Sequence, residues 1–585
     1  LDNPCLWPII GPARDVSFNS SSEECFELAQ DWLRECVANH QGCNPSQSTL
    51  LGIRLPTRLI HLGEKVEDLR IIATGDTEEH TNEVSLHKRY AALSHSWGKA
   101  QVITTTSQTL NQYKRCLPYT QLPQTFRDAI TIARRLAIGL LWIDSLCIIQ
   151  DSTLDWEEQA GRMGSVYANA TLVIAAESAL DGSGGCFISD GERAHIPFQF
   201  ECPSPEGSKS TVYARPDRRS GSVSPFCSSH TRQAWSHLST RAWVYQEQLL
   251  GRRILHYTKS EMAWTCNSAN LCECRIRQGR HGRAGFQLRS VVVENLIRKS
   301  TATAALPSQN RVPQEIIPEE GSLPKSTIFN MWNNLIEEYT RRSVTFATDR
   351  LPAISGIAAA CKQHFSGQYM FGIWQDHLPE ALLWSVSVTK TRQSRRIDSS
   401  YAPSWSWASI TGHAEYHHEL APVEVSLEIL DISYVPIGLN PYGPGNGSIK
   451  TSGYLLPVKV NHSISLANEP VLTEEVYLAT TISLSLDFFA PTAEGHVTRL
   501  PWNYRLFIDV HNCVLADAEI HHGDECAFLI VIQTPKSFVG ILLSRSSKSP
   551  SAFQRVAIAG VLFESDSDKT SALPILGEKQ EVILI

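Results

Sequence analysis

Four side chains in this sequence are of the types that acid–base or nucleophilic chemistry needs: His95, Asp144, Cys147 and Glu247. His95 follows the apolar run Tyr90-Ala-Ala-Leu93 and stands between Ser94 and Ser96. An imidazole so placed can act as a general base or acid. Asp144 and Cys147 follow Leu140-Leu-Trp-Ile143. A thiol needs a base to reach its thiolate at neutral pH, and a carboxylate can orient that base. His95, Cys147 and Asp144 therefore form one constellation. Its structural alternative is an inert thiol buried among Leu146, Ile148 and Ile149, and these apolar neighbours favour that alternative for Cys147.

Asp144 and Glu247 form a second, acidic constellation. A carboxylate beside a ribose can stabilise an oxocarbenium-like state in glycosidic bond cleavage. The structural alternatives are a turn cap for Asp144 and an ion pair with Arg241 or Arg252 for Glu247. Around them, Ser94, Trp97, Trp142, Arg241, Trp243 and Gln246 are candidates to bind a substrate. The three tryptophans suit stacking on a flat ligand, or equally the packing of a core. A third set, Cys25, Cys36, His40 and Cys43, offers four soft ligands and makes zinc a candidate ion. Its alternative is a helix end with half-buried thiols.

The elements that must position these groups can be read from periodicity. Apolar residues at Phe26, Leu28, Ala29, Trp32, Leu33 and Cys36 predict a helix over 21–39, followed by an extended segment at Arg58–Leu62. Tyr90–Leu93 reads as a buried strand. Thr125 with Asp128 three residues later has the form of a capping box opening a helix, which Gly139 stops. Leu140–Ile143 is the next strand. Trp156, Ala160, Met163, Tyr167 and Ala170 mark a second helix, and Thr171–Ala176 a third strand. Strand, helix, strand, helix, strand with tight connections predicts a parallel sheet with helical crossovers, which binds ligands outside the carboxyl ends of its strands. Ser94, His95, Asp144, Cys147 and Glu177 fall at or just past those ends.

Further along, Thr240–Leu250 reads as a helix and Arg253–Tyr257 as a strand. Residues 327–390 look helical, with helices expected at Trp332–Tyr339, from Asp349 and over Leu378–Trp384. From Ser404 onward, alternation and Gly/Pro punctuation predict antiparallel β structure, including Trp405-Ser-Trp-Ala-Ser409. The expected organisation is an N-terminal helical and extended segment (1–85), an α/β domain (86–260) with an insertion at 188–235, a mainly helical region (261–403) with a disordered loop at 298–326, and a β-rich domain (404–585).

Composition bounds what such a chain can do. At 585 residues it is long enough for several domains. It is 42% hydrophobic and 19% charged, ordinary for a globular protein. Its formal charge of −8 gives no broad basic surface, so no nucleic-acid partner is expected. The window Leu136–Ile149 is too short and too polar to cross a membrane. Fifteen cysteines, odd in number and sparse, suit a reducing, intracellular and most simply cytoplasmic setting. Leu1-Asp-Asn-Pro-Cys5 reads as a trimmed N-terminus. Dinucleotide-fingerprint, P-loop and HExxH patterns are missing, and no cofactor is required by what is present.

Several of these stretches together resemble the fungal heterokaryon-incompatibility (HET) domain. They are Tyr90-Ala-Ala-Leu-Ser-His-Ser-Trp-Gly98, Leu122-Pro-Gln-Thr-Phe-Arg-Asp-Ala129, Leu141-Trp-Ile-Asp-Ser-Leu-Cys-Ile-Ile-Gln-Asp151, Met163–Ala176 and Arg241-Ala-Trp-Val-Tyr-Gln-Glu247. Asp349-Arg-Leu-Pro-Ala353, Leu383-Trp384 and Ala402-Pro-Ser-Trp-Ser-Trp-Ala-Ser409 resemble the region downstream of that domain. The resemblance implies a role in non-self recognition and regulated cell death. It also implies a fold distantly similar to Toll/interleukin-1-receptor-type domains, some of which cleave NAD with a catalytic glutamate. NAD then becomes a candidate substrate at the strand ends, with self-association or a protein partner as further expectations. Two other readings stay open: a cofactor-independent enzyme of fungal small-molecule, secondary metabolism using His95, Asp144 and Glu247 as acid–base groups, and an interaction scaffold without chemistry.

Overall fold

The computed structural model describes residues 16–44, 55–74, 89–98, 103–189, 198–203, 209–214, 236–274, 325–387, 395–397, 400–416, 424–466, 480–491, 497–499, 504–509, 525–534, 537–546, 549–563, 576 and 578–585. Most of the expected insertion at 188–235 and nearly all of the expected loop at 298–326 lie outside these residues. The chain divides into two compact units, residues 1–317 with 353–360, and 318–352 with 361–585.

The first unit is built on an eight-stranded sheet. In chain order its strands are β1 (Arg58–His61), β2 (Arg70–Ala73), β3 (Tyr90–Ser94), β4 (Leu140–Trp142), β5 (Leu172–Ala176), and, after a separate hairpin of β6 (Phe198–Pro203) and β7 (Lys209–Ala214), β8 (Arg253–Tyr257), β9 (Met262–Cys266) and β10 (Asn270–Cys272). Their spatial order is β10-β9-β8-β5-β3-β4-β1-β2. The pairs β3–β4, β3–β5 and β5–β8 are parallel, and the flanking pairs are antiparallel. The parallel sheet with helical crossovers expected from sequence holds for these central strands, and the antiparallel flanks make the whole sheet mixed. The reason is local: residues 258–261 and 267–269 are too short to carry a crossover, so β8, β9 and β10 must fold back on one another. The parallel strands are buried along their whole length, which is why they read as continuous apolar runs rather than alternations.

The helices are α1 (Glu23–Asn39), the single turn α2 (Leu110–Tyr113), α3 (Gln124–Arg135), the single turn α4 (Asp144–Cys147), α5 (Thr153–Asn169) and α6 (Ala242–Leu250). α3, α5 and α6 occupy the crossovers between successive parallel strands. Numbered among themselves, the parallel strands stand in the order 2-1-3-4, so connections leave β3 and β5 in opposite senses. Such a switch point opens a crevice at the strand ends. Ser94 ends β3, and Glu177 follows β5.

Thr125 and Asp128 do not cap α3, whose N-cap is Pro123 without a side-chain bond. They hold the loop after β5 instead. Asp128 Oδ2 accepts from the backbone N–H of Cys186 at 2.7 Å and of Phe187 at 3.2 Å, and Thr125 Oγ1 accepts from Gly185 at 3.1 Å. The helix opens at Gln124, so Thr125 and Asp128 already lie inside it, away from the N-cap and N3 positions of a capping box, and both side chains are free for a distant loop.

The second unit contains α7 (Lys325–Thr340), whose Trp332, Leu335, Ile336 and Tyr339 are buried as their spacing predicts. The helix α8 (Pro352–Cys361) joins the two units in sequence, and its Ala353–Ala360 belongs to the first. Leu378–Trp384 is not a helix: a short turn at Glu380–Leu382 leads into the strand Trp384–Ser387. The Trp405–Ser409 segment is likewise turn and short 3-10 helix rather than strand. Its alternation reflects two buried rings, Trp405 and Trp407, on an irregular backbone. Trp384 donates from Nε1 to the Trp405 carbonyl at 2.9 Å, and the Arg555 guanidinium stacks on the Trp384 ring at 3.7 Å. The rest of the unit is dominated by an eleven-stranded sheet drawn from Glu424 to Leu584, so the final third of the chain is β-rich. Among the described residues, no helix is long and apolar enough to cross a membrane.

Within the first unit, α5 and α8 cross at two glycines. A Cβ on Gly164 would lie 2.6 Å from the Gly356 Cα, and one on Gly356 would meet both Gly164 and the Gln246 Oε1, the latter at 2.5 Å. Backbone cannot give way as a side chain can. Gly164→Ala and Gly356→Ala are each expected to destabilise the first unit by about 1–3 kcal/mol, as overpacking does, read as a lowered Tm of the full chain. An unchanged Tm in both variants would contradict this close crossing.

Candidate functional site

The site forms where β3 and β4 end. The chain leaves β3 at Ser94 and continues through His95, Ser96 and Trp97 to Gly98. Gly98 has φ of +68°, and a Cβ there would sit 2.2 Å from the Asp181 Cβ. Only glycine fits that turn. β4 passes through Ile143 into α4, whose first residue is Asp144. A buried Thr105, bridged to Ile149, fixes this turn and the segment that follows it. Its backbone N–H donates to the Ser145 carbonyl at 2.9 Å, its hydroxyl to the Leu146 carbonyl at 2.6 Å, and its carbonyl accepts from the Gln150 N–H at 2.8 Å. Arg58 completes the clamp, donating from Nε to the Cys147 carbonyl at 2.7 Å while ion-paired with Asp155.

Held this way, Asp144 has two distinct carboxylate oxygens. Oδ1 accepts from its neighbour Ser145 N–H at 2.7 Å and lies 3.8 Å from His95 Nε2. Oδ2 accepts from Trp97 Nε1 at 2.8 Å. Trp97 therefore orients a carboxylate through its N–H instead of serving only as a flat surface. Asp144 keeps 22% of its side chain exposed. His95 is buried at 3%. Burial pushes its pKa down, the Asp144 carboxylate pulls it back up, and Arg241 adds to the lowering. The ring is thus neutral near pH 7, edge-on to Phe126 with centroids 5.1 Å apart. The Arg241 guanidinium donates to the His95 carbonyl and so ties the residue before α6 to the end of β3.

Glu247 arrives from α6 and is 4% exposed. Burial pushes its carboxyl up to about 7. The Ser94 and Tyr167 hydroxyls and the Arg241 charge draw it down, and Asp144 raises it further. Neither hydroxyl closes a hydrogen bond on Oε2, which has no partner among the described residues. The Tyr167 hydroxyl donates to the Leu93 carbonyl at 3.0 Å. Desolvation of the charged form thus outweighs every neighbour that favours it. The result is a pair of carboxyl groups in unlike surroundings, one partly exposed and oriented by an indole, the other dry and titrating near neutrality. That difference is what acid–base chemistry at pH 7 requires.

Other sequence-predicted residues fall elsewhere. Cys147 is buried in the core at the end of α4, and burial pushes its thiol up to about 12. A thiol held protonated in this way is not a nucleophile at neutral pH. Trp142 is fully buried and packs edge-on to Tyr167 with centroids 5.6 Å apart, so it belongs to the core. Trp243 is partly buried against the same core. Gln246 is wholly buried on α6, and neither amide atom has a hydrogen-bond partner among the described residues.

Sequence reading missed a second buried pair. Glu177, just past β5, lies with Oε1 2.7 Å from His256 Nδ1, and His256 Nε2 is 3.1 Å from the Thr265 hydroxyl. His256 reads as one polar residue inside an apolar strand, and only its pairing across β5 and β9 shows why it is there. The cysteine set is also corrected. Cys25 stands apart, its Sγ 3.7 Å from Glu273 Oε1, while Cys36, His40 and Cys43 gather with Cys266 from the end of β9. The chain thus has a Cys/His cluster that could hold a metal such as zinc.

Residues 90–247 match the family model of the heterokaryon incompatibility protein (HET). The chain therefore carries a HET domain, and that domain holds all of the strand-end site from Ser94 to Glu247. No curated protein and no solved structure matches the chain.

The buried carboxyl has a consequence for stability. Glu247 ionises near 4.5 in the unfolded chain and at about 7 in the folded one. The folded state therefore binds more protons between these values, and stability falls as pH rises from 4.5 to 7 before levelling off. Glu247→Gln removes this cost, which is about 3 kcal/mol at most. The variant is expected to gain on the wild type in urea denaturation at pH 8, with the gain shrinking toward zero at pH 4.5. A pH-independent difference would mean that Glu247 is not the group responsible.

Proposed function

We propose that this chain is a heterokaryon-incompatibility-type effector whose HET domain cleaves the nicotinamide–ribose bond of NAD. The observation that carries this reading is Glu247, a dry carboxyl raised to about 7 at the carboxyl end of a parallel sheet, beside Arg241, Tyr167 and the Trp97-bound Asp144. In its ionised form, Glu247 stabilises positive charge developing on the ribose as nicotinamide departs. Asp144, the exposed partner, accepts hydrogen bonds from sugar hydroxyls or from the attacking water. Neutral His95 takes a proton from that water, and Asp144 at 3.8 Å stabilises the imidazolium that results. Arg241, ahead of α6, supplies positive charge toward a pyrophosphate. The HET match over the same residues supports the effector role.

The low exposure of Glu247 fits an effector at rest, because a dinucleotide cannot reach so buried a carboxyl unless the site opens. The test is therefore made in a fungal host expressing the full chain. Growth arrest is expected, with cellular NAD falling several-fold and nicotinamide rising in step. Glu247→Gln and Asp144→Asn should each abolish both effects, while Cys147→Ala stays within about twofold of the wild type, as an inert core thiol would. Growth arrest with unchanged NAD would remove the NAD reaction. Equal toxicity of the Glu247 and Asp144 variants would point to a role through protein contacts alone.

A further inference from the structure

We infer that Cys36, His40, Cys43 and Cys266 bind one zinc ion that fastens the N-terminal helix to the β-sheet edge. Cys36 lies in the last turn of α1, His40 is its C-cap, and Cys43 closes the short 3-10 turn Gln41–Cys43. Cys266 ends β9 at the tight turn into β10. The three thiols are wholly buried. One ligand atom from each of the four residues lies within 4.8 Å of all the others, and His40 Nδ1 stands 3.3 Å from Cys266 Sγ. Tetrahedral zinc with bonds of about 2.3 Å to sulfur separates its ligand atoms by roughly 3.8 Å. The cluster needs only a small contraction to reach that geometry.

Two further observations place donors on the Cys36 and Cys266 sulfurs, as bound thiolates would need. The first is Arg253, buried on β8, which donates from Nε to Cys36 Sγ at 3.2 Å and otherwise to the Cys43 carbonyl and the Asn44 side-chain oxygen. None of these partners is a carboxylate, and a buried guanidinium needs a counter-charge. Three thiolates and Zn2+ carry a net charge of −1, which Arg253 neutralises. The second is the backbone N–H of Ala269, which donates to Cys266 Sγ at 3.2 Å while the Cys266 N–H donates back to the Ala269 carbonyl at 2.8 Å. A turn that aims its N–H at a sulfur stabilises charge on that sulfur and fixes its direction.

Three thiolates and one imidazole form a closed set of four ligands, which is the donor set of structural zinc and leaves no open position for catalysis. The ion would join segments from opposite ends of the first unit: α1 before the parallel strands, and the β8–β10 meander after them. The inference does not depend on the strand-end chemistry, and neither test decides the other.

The experiment is zinc analysis of the full chain, purified from zinc-supplemented cells and desalted. About one zinc per chain is expected. Cys266→Ser and His40→Ala should cut the content at least fivefold. His40→Cys, which restores a fourth soft ligand, and Cys25→Ser, which removes the excluded cysteine, should keep it. In the wild-type chain, titration with an organomercurial should release zinc in step with modification of three thiols, a readout that does not require a folded variant. Zinc-free wild-type protein, a disulfide among these cysteines in its place, or full zinc retention by Cys266→Ser would overturn the assignment.

Discussion

Desolvation of one carboxyl group is the constraint on which the strand-end site depends. Glu247 loses its water because it is buried on α6, and the nearby hydroxyls and Arg241 do not fully replace that water. The groups around it are each fixed by a partner of their own. Tyr167 hydrogen-bonds back to the β3 carbonyl, Arg241 holds the same strand end, and Trp97 keeps Asp144 pointing in one direction. A site arranged in this way is costly to fold and therefore unlike an ordinary surface carboxylate. Buried strain of this kind concentrates where chemistry is done.

The two units show how differently one chain can solve the packing problem. In the first, the four parallel strands are buried along their whole length, and the chain leaves two of them through the polar candidates His95 and Asp144. In the second, large rings do the work. Trp332, Trp374, Trp384, Trp405 and Trp407 are all fully buried, with Arg555 stacked on one of them. These five tryptophans thus serve packing, while Trp97 in the first unit is tied to a carboxylate.

Local signals in the sequence were legible and distant ones were not. The strands at Tyr90, Leu140, Leu172 and Arg253 and the helices between them could be read from apolar runs and 3.6-residue periodicity, because those patterns reflect each element's own burial. His95, Asp144 and Glu247 could be singled out as candidates from their residue types, and His95 and Asp144 also because each follows an apolar run that forms a parallel strand. Trp97 as a donor to Asp144, the Glu177–His256 pair and Cys266 as a fourth ligand were not legible. Each depends on a partner placed by tertiary structure, and Cys266 lies 226 residues from His40. The Thr125–Asp128 pattern misled for a related reason: a local capping motif and a long-range loop clamp use the same residue types. The antiparallel flanks of the sheet were hidden in short connections, and the Trp405–Ser409 alternation imitated a strand because its buried rings recur every second residue.

The protonation of Glu247 decides whether the strand ends hold a site of this kind. Isotope-edited infrared difference spectroscopy of the full chain, titrated from pH 4 to pH 9, measures it directly. The expected result is a protonated carboxyl band that persists well above the ordinary carboxylate range, disappears with a midpoint near 7 and is missing from Glu247→Gln. A midpoint near the ordinary value of about 4.3, or a band unchanged in Glu247→Gln, would contradict it.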